Sequence, residues 1–218
     1  MVEIKYCGMT RFDDASQAVS LGARYVGVIL ADGPRALTNE AAEQVLAAVP
    51  SGKGVSRVGV FGAASPEQIA SRAARLRLDV AQLHGDPDAE AIERLRQLWQ
   101  GQIWAVQRVE GSALAADTSE MFDAADGVVL DARVTGKLGG TGVVLPWEDL
   151  HPRLMTMRSR RAKLVLAGGL RPENVAHAVD VLQPDVVDVS SGVESAVGVK
   201  DHARMRAFRD AARTVQIR

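Results

Sequence analysis

The sequence predicts an α/β protein that folds as a single (β/α)8 barrel, the TIM barrel architecture. Short β-branched runs alternate along the chain with longer stretches of helical periodicity, and eight such runs occur in 218 residues. The first run is not followed by the G-x-G-x-x-G pattern that is typical of dinucleotide-binding sheets. A doubly wound open sheet also fits the alternation, but the number of strands favours a closed barrel, which can be as short as about 200 residues.

Each predicted strand is a short apolar run that ends in polar or glycine residues. The predicted strands are Val2–Tyr6, Tyr25–Leu30, Ser56–Phe61, Val80–Leu83, Ile103–Val109, Gly127–Leu130, Lys163–Ala167 and Asp185–Val189. Helices are predicted to start near Arg11, Thr38, Ser65, Asp88, Ala113, Pro146, Pro172 and Asp201. Thr38 and Ser65 have hydroxyl groups that cap helix N-termini, and Pro66 suits a first helical position. After the eighth strand, Ser191–Val197 is expected to form a short extra helix.

Composition limits the class of protein. With 47% hydrophobic residues and no linker or low-complexity segment, residues 1–218 are expected to form one catalytic domain. The net charge of −1 gives no basic field for nucleic acid or an anionic membrane, so neither is an expected partner. No signal peptide is recognised, no apolar run approaches the ~20 residues of a membrane span, and one cysteine suits a reducing compartment. A cytoplasmic protein is expected.

The active site of such a barrel lies at the C-terminal ends of its strands. Cys7 follows the first strand and Asp131 follows the sixth, so both are expected at the barrel mouth. A free cysteine is usually a small buried hydrophobe, and an aspartate after a strand often caps a helix. The residues alone do not decide between these structural roles and a catalytic one, in which the thiol and the carboxyl group form a base–acid pair across the barrel.

Two turns that contain glycine follow the seventh and eighth strands, where barrels often bind phosphate. Glycine lets the backbone approach an anion closely, and serine hydroxyls add hydrogen-bond donors. The predicted phosphate-binding residues are Gly168, Gly169, Ser190, Ser191 and Gly192.

Two further side chains are candidates for substrate contacts. Arg35 follows Pro34 in the second βα loop, where it is either a solvated arginine or a bidentate partner for a carboxylate. His84 follows the fourth strand, and no second histidine or carboxylate lies at metal-ligand spacing beside it. No metal site is therefore expected.

Five segments, each at the end of a predicted strand, occur in an order that resembles one family. They are Lys5-Tyr6-Cys7-Gly8-Met9-Thr10, Gln82-Leu83-His84-Gly85, Asp131 with Gly139-Gly140-Thr141-Gly142, Leu166-Ala167-Gly168-Gly169-Leu170, and Val187-Asp188-Val189-Ser190-Ser191-Gly192-Val193-Glu194. The set resembles phosphoribosylanthranilate isomerase, a (β/α)8 enzyme of tryptophan biosynthesis, and the resemblance runs from residue 3 to about residue 201.

The resemblance implies a cofactor-free Amadori rearrangement of a small phosphorylated sugar–anthranilate. N-(5-phosphoribosyl)anthranilate becomes 1-(2-carboxyphenylamino)-1-deoxyribulose 5-phosphate, with Asp131 as the general acid and Cys7 as the general base. Arg35 is implied to hold the anthranilate carboxylate, and His84 and Asp188 to position the sugar or the amine. Family members are monomers or homodimers, and the sequence does not choose between them.

Two other functions are compatible with a phosphate-binding barrel. The related sugar isomerase of histidine biosynthesis, or an enzyme with both activities, has aspartate where this chain has Cys7. A phosphate-ligand sensor that lost catalysis is expected to lack Cys7 or Asp131, and both are present. The chain departs from the resemblance at Tyr6, where an aliphatic residue is usual. The sequence does not show which loop closes over the substrate, although Gly136–Gly142 contains enough glycine to be the mobile one.

Overall fold

The computed structural model of the protein describes residues 1–52, 54–114, 118–132, 145–158 and 161–215. Within these ranges, eight strands alternate with eight α-helices. The strands are β1 (Glu3–Tyr6), β2 (Tyr25–Ile29), β3 (Ser56–Phe61), β4 (Val80–Leu83), β5 (Gln102–Val109), β6 (Gly127–Ala132), β7 (Lys163–Leu166) and β8 (Val186–Val189). The helices are α1 (Phe12–Ser20), α2 (Asn39–Leu46), α3 (Pro66–Arg75), α4 (Ala89–Leu98), α5 (Thr118–Ala124), α6 (Trp147–Met157), α7 (Val175–Leu182) and α8 (His202–Arg213).

The eight strands pair in parallel and in chain order, and β1 closes the barrel by pairing with β8. This confirms the predicted (β/α)8 barrel and excludes the open sheet. Lys5 of β1 lies beside Tyr25 of β2 on one side and Asp188 of β8 on the other. Closure therefore brings together side chains that are up to 183 positions apart in the sequence.

The two faces of each strand are buried in different environments. Inside the barrel, Tyr25 and Trp104 pack edge to face with ring centroids 4.7 Å apart, among valines from five other strands. The opposite faces pack against the helices in a second, larger cluster. Successive strand residues alternate between these environments, so residues two positions apart, such as Lys5 and Cys7, share the inward face.

Helix starts agree with the sequence where a side chain caps the helix. Thr38, Ser65 and Asp88 each accept a hydrogen bond from a backbone N–H in the first turn of α2, α3 and α4. Two other predicted helix starts, those of the fifth and seventh helices, were wrong. Helix α5 begins at Thr118, not at Ala113, whose N–H instead donates to the carbonyl of Glu110 in a turn.

The predicted start of the seventh helix was also wrong because the residue lies in a turn before the helix. Pro172 lies in a turn before α7, which begins three residues later at Val175. In that turn, the side chain of Asn174 accepts a hydrogen bond from the backbone N–H of Arg171 at 2.8 Å and donates one to the carbonyl of Gly169 at 3.0 Å. These two bonds pair backbone groups of the turn, so the helix does not extend back to Pro172.

The expected short helix at Ser191–Val197 is only partly present. A single 3₁₀ turn covers Ser191–Val193, and the chain then forms an antiparallel hairpin of β9 (Glu194–Ala196) and β10 (Val199–Lys200). The N–H of Asp201 donates to the carbonyl of Val193 at 2.8 Å, and this bond joins the two ends of the hairpin. We call β9, β10 and the residues between them the mouth hairpin.

The glycine-rich loop Gly136–Gly142, with the segment Gly139-Gly140-Thr141-Gly142, lies outside the described residues. Among the helices that are described, none has the length and apolar character needed to cross a membrane.

Candidate active site

A cleft of about 950 Å³, including its open mouth, lies over the C-terminal ends of the strands. Every residue that the sequence assigned to catalysis or binding lines it. They are Cys7, Arg35, His84, Asp131, Gly168, Gly169, Asp188, Ser190, Ser191 and Gly192. A cleft in which a few polar side chains converge suits a small-molecule ligand, so the barrel brings the predicted set into one site.

Cys7 directly follows β1 and faces the cleft, although only 6% of the residue is exposed. A Cβ atom on Gly27 of β2 would lie 2.9 Å from the thiol sulfur, so glycine at that position leaves the space that the side chain occupies. Burial raises the pKa of the Cys7 thiol, while Lys5 lowers it and Asp188 raises it further. The cysteine is buried, as its residue type predicts, yet it is also part of the cleft.

Lys5 is fully buried on the face of β1 that also bears Cys7. Its ammonium group donates to Oδ2 of Asp188 at 2.6 Å and to Oε1 of Gln82 at 2.9 Å. Burial by itself lowers the pKa of Lys5, but Asp188 and Cys7 outweigh that effect and raise it above its ordinary value. Lys5 is therefore a charged ammonium group inside the barrel, directly below the cleft.

Asp188 has one carboxylate oxygen in this ion pair and one that is left over. Within the described residues, Oδ1 of Asp188 is buried and accepts no hydrogen bond. A buried acceptor without a partner is costly, and this one belongs to a residue that lines the cleft. The arrangement suits an oxygen that accepts a hydrogen bond from a ligand.

Asp131 lies across the barrel from Cys7, on the cleft side of β6. Its Oδ2 is 3.7 Å from Nε2 of His84, which is beyond hydrogen-bond distance. Burial, and next the charge of Arg108, lower the pKa of His84 to about 4. The imidazole is neutral at pH 7, so His84 gives Asp131 a polar neighbour without a positive charge.

The two predicted phosphate turns lie side by side at the ends of β7 and β8. Gly168 and Gly169 have φ angles of +80° and +66°, which favour glycine. A Cβ atom on Gly192 would lie only 1.8 Å from the carbonyl oxygen of Leu170, so the turn after β8 packs directly on the turn after β7. This close approach presents both backbones and Ser190 to the same end of the cleft.

Arg35 is not a solvated loop residue, since its side chain is 13% exposed. Its Nε and Nη2 donate to the two carboxylate oxygens of Glu194 in the mouth hairpin, at 2.7 Å and 2.6 Å. Lys200, which is also buried, donates to Glu194 Oε1 and to the carbonyl of Ser190, both at 3.0 Å. The loop after β2 is thereby linked through the hairpin to the phosphate turn after β8.

A comparison with protein-family models finds a match to N-(5′phosphoribosyl)anthranilate (PRA) isomerase over residues 4–211. The chain belongs to the phosphoribosylanthranilate isomerase family. This family membership confirms the resemblance carried by the strand-end motifs and makes the chain an isomerase of tryptophan biosynthesis.

Relatives in the family match over nearly their whole length. The N-(5′-phosphoribosyl)anthranilate isomerase of Pseudomonas fluorescens is 40% identical over 213 residues, which are 97% of this chain and 98% of the relative. The solved structure of the Thermotoga maritima phosphoribosyl anthranilate isomerase superimposes with a TM-score of 0.85 at 32% identity and covers 99% of this chain and 100% of that one. Another structure from that organism describes mutually generated monomers of a dimeric isomerase.

One solved isomerase holds a ligand related to the reaction product. It is a complex with reduced 1-(o-carboxyphenylamino)-1-deoxyribulose 5-phosphate, with a TM-score of 0.81 and 31% identity, and it covers 99% of this chain and 100% of that one. The ligand is bound to that protein, and it shows the kind of molecule that a barrel of this isomerase family accommodates.

The sequence assigned no role to four polar residues of the isomerase site. Lys5 lies below the cleft and Gln82 lines it, while Glu194 and Lys200 hold Arg35 and the phosphate turn. Lys5 was detectable, because it precedes Cys7 by two positions and so shares its inward face. The departure at Tyr6 has a different explanation. Tyr6 faces the helices, and its hydroxyl donates to the carbonyl of Met205 at 2.7 Å.

Proposed function

We propose that this isomerase performs its Amadori rearrangement by general acid–base catalysis, with Asp131 as the acid and Cys7 as the base. The substrate is N-(5′-phosphoribosyl)anthranilate, and the product is 1-(2-carboxyphenylamino)-1-deoxyribulose 5-phosphate. The observation that supports these roles is that Cys7 and Asp131 face one cleft from different strands. The two groups therefore reach a single substrate from two sides.

The first step opens the ribose ring. Asp131 donates a proton to the ring oxygen as the bond from that oxygen to C1 breaks, and the nitrogen lone pair forms the C1–N double bond of a Schiff base. A positioned acid of this kind typically contributes a rate factor of about 10²–10⁴. The neutral ring of His84 lies beside Asp131, so it adds no positive charge that would oppose the function of Asp131 as a proton donor.

The second step moves a proton from carbon to sulfur. The Cys7 thiolate removes the proton from C2, the C–H electrons form the C1–C2 double bond, and the C–N π electrons return to nitrogen. The enolamine that results gains a proton at C1 and loses one from the C2 hydroxyl, which gives the ketone. No proton is gained or lost overall, as an isomerisation requires.

The proposed binding mode holds both ends of the substrate. The phosphate binds at the turns of Gly168, Gly169, Ser190, Ser191 and Gly192, and the anthranilate carboxylate binds at Arg35. Glu194 occupies Nε and Nη2 of Arg35, so the carboxylate is received by Nη1. Asp188 accepts a hydrogen bond from the sugar or amine through its unpaired oxygen. Fixing both ends orients the reacting carbon between base and acid.

We also retain four predictions about the whole protein. Residues 1–218 act as one catalytic domain, the enzyme is a monomer or a homodimer, and it works in the cytoplasm on a small-molecule substrate. The dimeric Thermotoga maritima relative supports a homodimer as one of the two assembly states.

The proposed substrate is tested by a fluorescence assay of the purified wild-type protein. We expect it to consume N-(5′-phosphoribosyl)anthranilate. We expect no turnover of the aldosylamine of histidine biosynthesis, because the isomerase that acts on that compound has aspartate where this chain has Cys7. A reaction without enzyme corrects for spontaneous decay. Absence of turnover with the first substrate contradicts the proposed function, and clear turnover of the second contradicts the single-substrate assignment.

A further inference from the structure

One buried charge in the barrel has no part in the mechanism above. The side chain of Lys5 has no solvent exposure and lies in the layer directly below the cleft. Burying an ammonium group costs several kcal/mol unless it is paired and hydrogen-bonded. An apolar residue would fill this space at a lower cost, since the cluster inside the barrel consists of valines together with Tyr25, Trp104 and Ala167.

Lys5 packs beside Cys7 and is paired with Asp188. Lys5 lies on β1 and Cys7 directly follows that strand, and a Cβ atom on Gly27 would lie 3.3 Å from Cε of Lys5 and 2.9 Å from Sγ of Cys7. Both side chains therefore pack on the same face of Gly27. On the other side, Lys5 binds Oδ2 of Asp188 at 2.6 Å.

Resting on the proposed function, we propose that Lys5 is a positioning residue that stabilises the Cys7 thiolate and turns Oδ1 of Asp188 toward the substrate. Its ammonium group is fixed by Asp188 and Gln82, so it needs no rearrangement when the thiol ionises. It stays protonated while Cys7 takes the proton from C2, and it therefore acts through Cys7 and Asp188 without touching the reacting atoms.

The charges around Cys7 support the role of Lys5 as the group that stabilises the thiolate. The charged groups that act on the thiol are Lys5 from β1, Asp188 from β8, Lys200 from the mouth hairpin and Arg35 from the loop after β2. Three are cations and one is an anion. Arg35 and Lys200 are both paired with Glu194. Lys5 is the strongest of the opposing influences on a thiol that burial otherwise keeps protonated.

The test is a spectroscopic titration of the thiolate, which absorbs near 240 nm. The chain has one cysteine, so the difference between each protein and the same protein with Cys7→Ala isolates the signal of this thiol. The key comparison is Lys5→Met/Asp188→Asn against wild type, because neither protein leaves a buried ammonium or carboxylate group without its partner. The single variant Lys5→Met is measured as well.

Loss of Lys5 is expected to move the midpoint of thiolate formation upward by about one pH unit, the lower end of the effect of a nearby opposite charge. Lys163→Met is the matched control. That lysine is also on a barrel strand, but it pairs with Glu3 and Tyr25 at the opposite end of the barrel, so its loss leaves the midpoint unchanged.

Coincident titrations of the double variant and wild type would overturn the proposal, as would an equal shift in Lys163→Met. Turnover is not needed for this measurement. A wild-type protein that fails to isomerise the substrate defeats the proposed function, whereas the titration decides separately whether Lys5 controls the thiol. In active protein, the ascending limb of the pH profile of kcat/KM is expected to move upward with the thiolate midpoint in Lys5→Met.

Discussion

Burial and charge act on the thiol of Cys7 in opposite directions. Burial raises its pKa and Lys5 lowers it. A buried thiolate is a strong base because water does not solvate it, but it forms only where a fixed cation compensates for the lost hydration. The surroundings of Cys7 thus fit a base that is available in a small fraction of the protein, and is strongly basic when it forms.

At the same scale, the sequence predicted Cys7 and Asp131 because each follows a strand and so faces the barrel mouth. It did not predict a role for Lys5, although that residue precedes Cys7 by two positions and shares its inward face. It left Arg35 undecided, because the partner that buries it, Glu194, is 159 positions away in the sequence. Contacts between distant parts of the chain depend on barrel closure, which local patterns do not encode.

The neutral state of His84 makes a prediction about stability. Its folded pKa of about 4 lies below the unfolded value of 6.5. Below pH 6.5 the unfolded chain therefore binds a proton that the folded chain does not bind until about pH 4. The stabilisation is complete above pH 6.5 and is lost as the pH falls toward 4, with about 2 kcal/mol lost at pH 5.

This prediction is measured by urea unfolding of wild type and His84→Gln at pH 7.5 and pH 5. The wild type should lose about 2 kcal/mol more free energy of unfolding on acidification than the variant. The chain has four histidines, and the other three are the same in both proteins, so their contributions cancel. Equal losses in the two proteins would show that His84 is not kept neutral by the fold.

At the scale of elements, the mouth hairpin was not predicted. Its strands have three and two residues, too few for an alternating pattern to be visible. The hairpin is held by contacts with the rest of the barrel, including a hydrogen bond from the hydroxyl of Thr10 to the carbonyl of Gly198. Strands and capped helices were predicted well because periodicity and caps are local, whereas the starts of α5 and α7 depend on turn hydrogen bonds.

The hairpin makes a prediction about substrate binding. Glu194→Gln removes the charge that holds the guanidinium group of Arg35, so the group loses its fixed position at the proposed carboxylate site. Hydrogen bonds to charged groups contribute about 1.5–3 kcal/mol, and 1.4 kcal/mol is a factor of ten in affinity. We expect KM to rise about tenfold or more, with a smaller change in kcat.

The matched control for this variant is Ser195→Ala, which alters an exposed hydroxyl in the same hairpin and should leave KM unchanged. Steady-state kinetics over a range of substrate concentrations separates KM from kcat. An unchanged KM in Glu194→Gln would show that Glu194 does not position Arg35 for the substrate.

At the scale of the whole molecule, closing the barrel assembles the site. The base comes from the end of β1, the acid from β6, and the phosphate turns from the ends of β7 and β8. Pairing of β1 with β8 places Lys5 beside Asp188, so the charge that acts on the thiol depends on the same contact that closes the barrel. Stability of the closed barrel and the electrostatics of the base are therefore coupled.

Catalysis is proposed to depend on Cys7 as the base and Asp131 as the acid of one isomerisation. The most direct test is to measure kcat for N-(5′-phosphoribosyl)anthranilate in Cys7→Ala, in Asp131→Asn and in wild type. The control variant is Asp180→Asn, which changes an exposed carboxyl group on α7. Circular dichroism establishes that each variant is folded. We expect each active-site variant to lose a factor of about 100 or more, with Asp180→Asn at the wild-type rate. A folded Cys7→Ala or Asp131→Asn protein with the wild-type kcat would contradict the account.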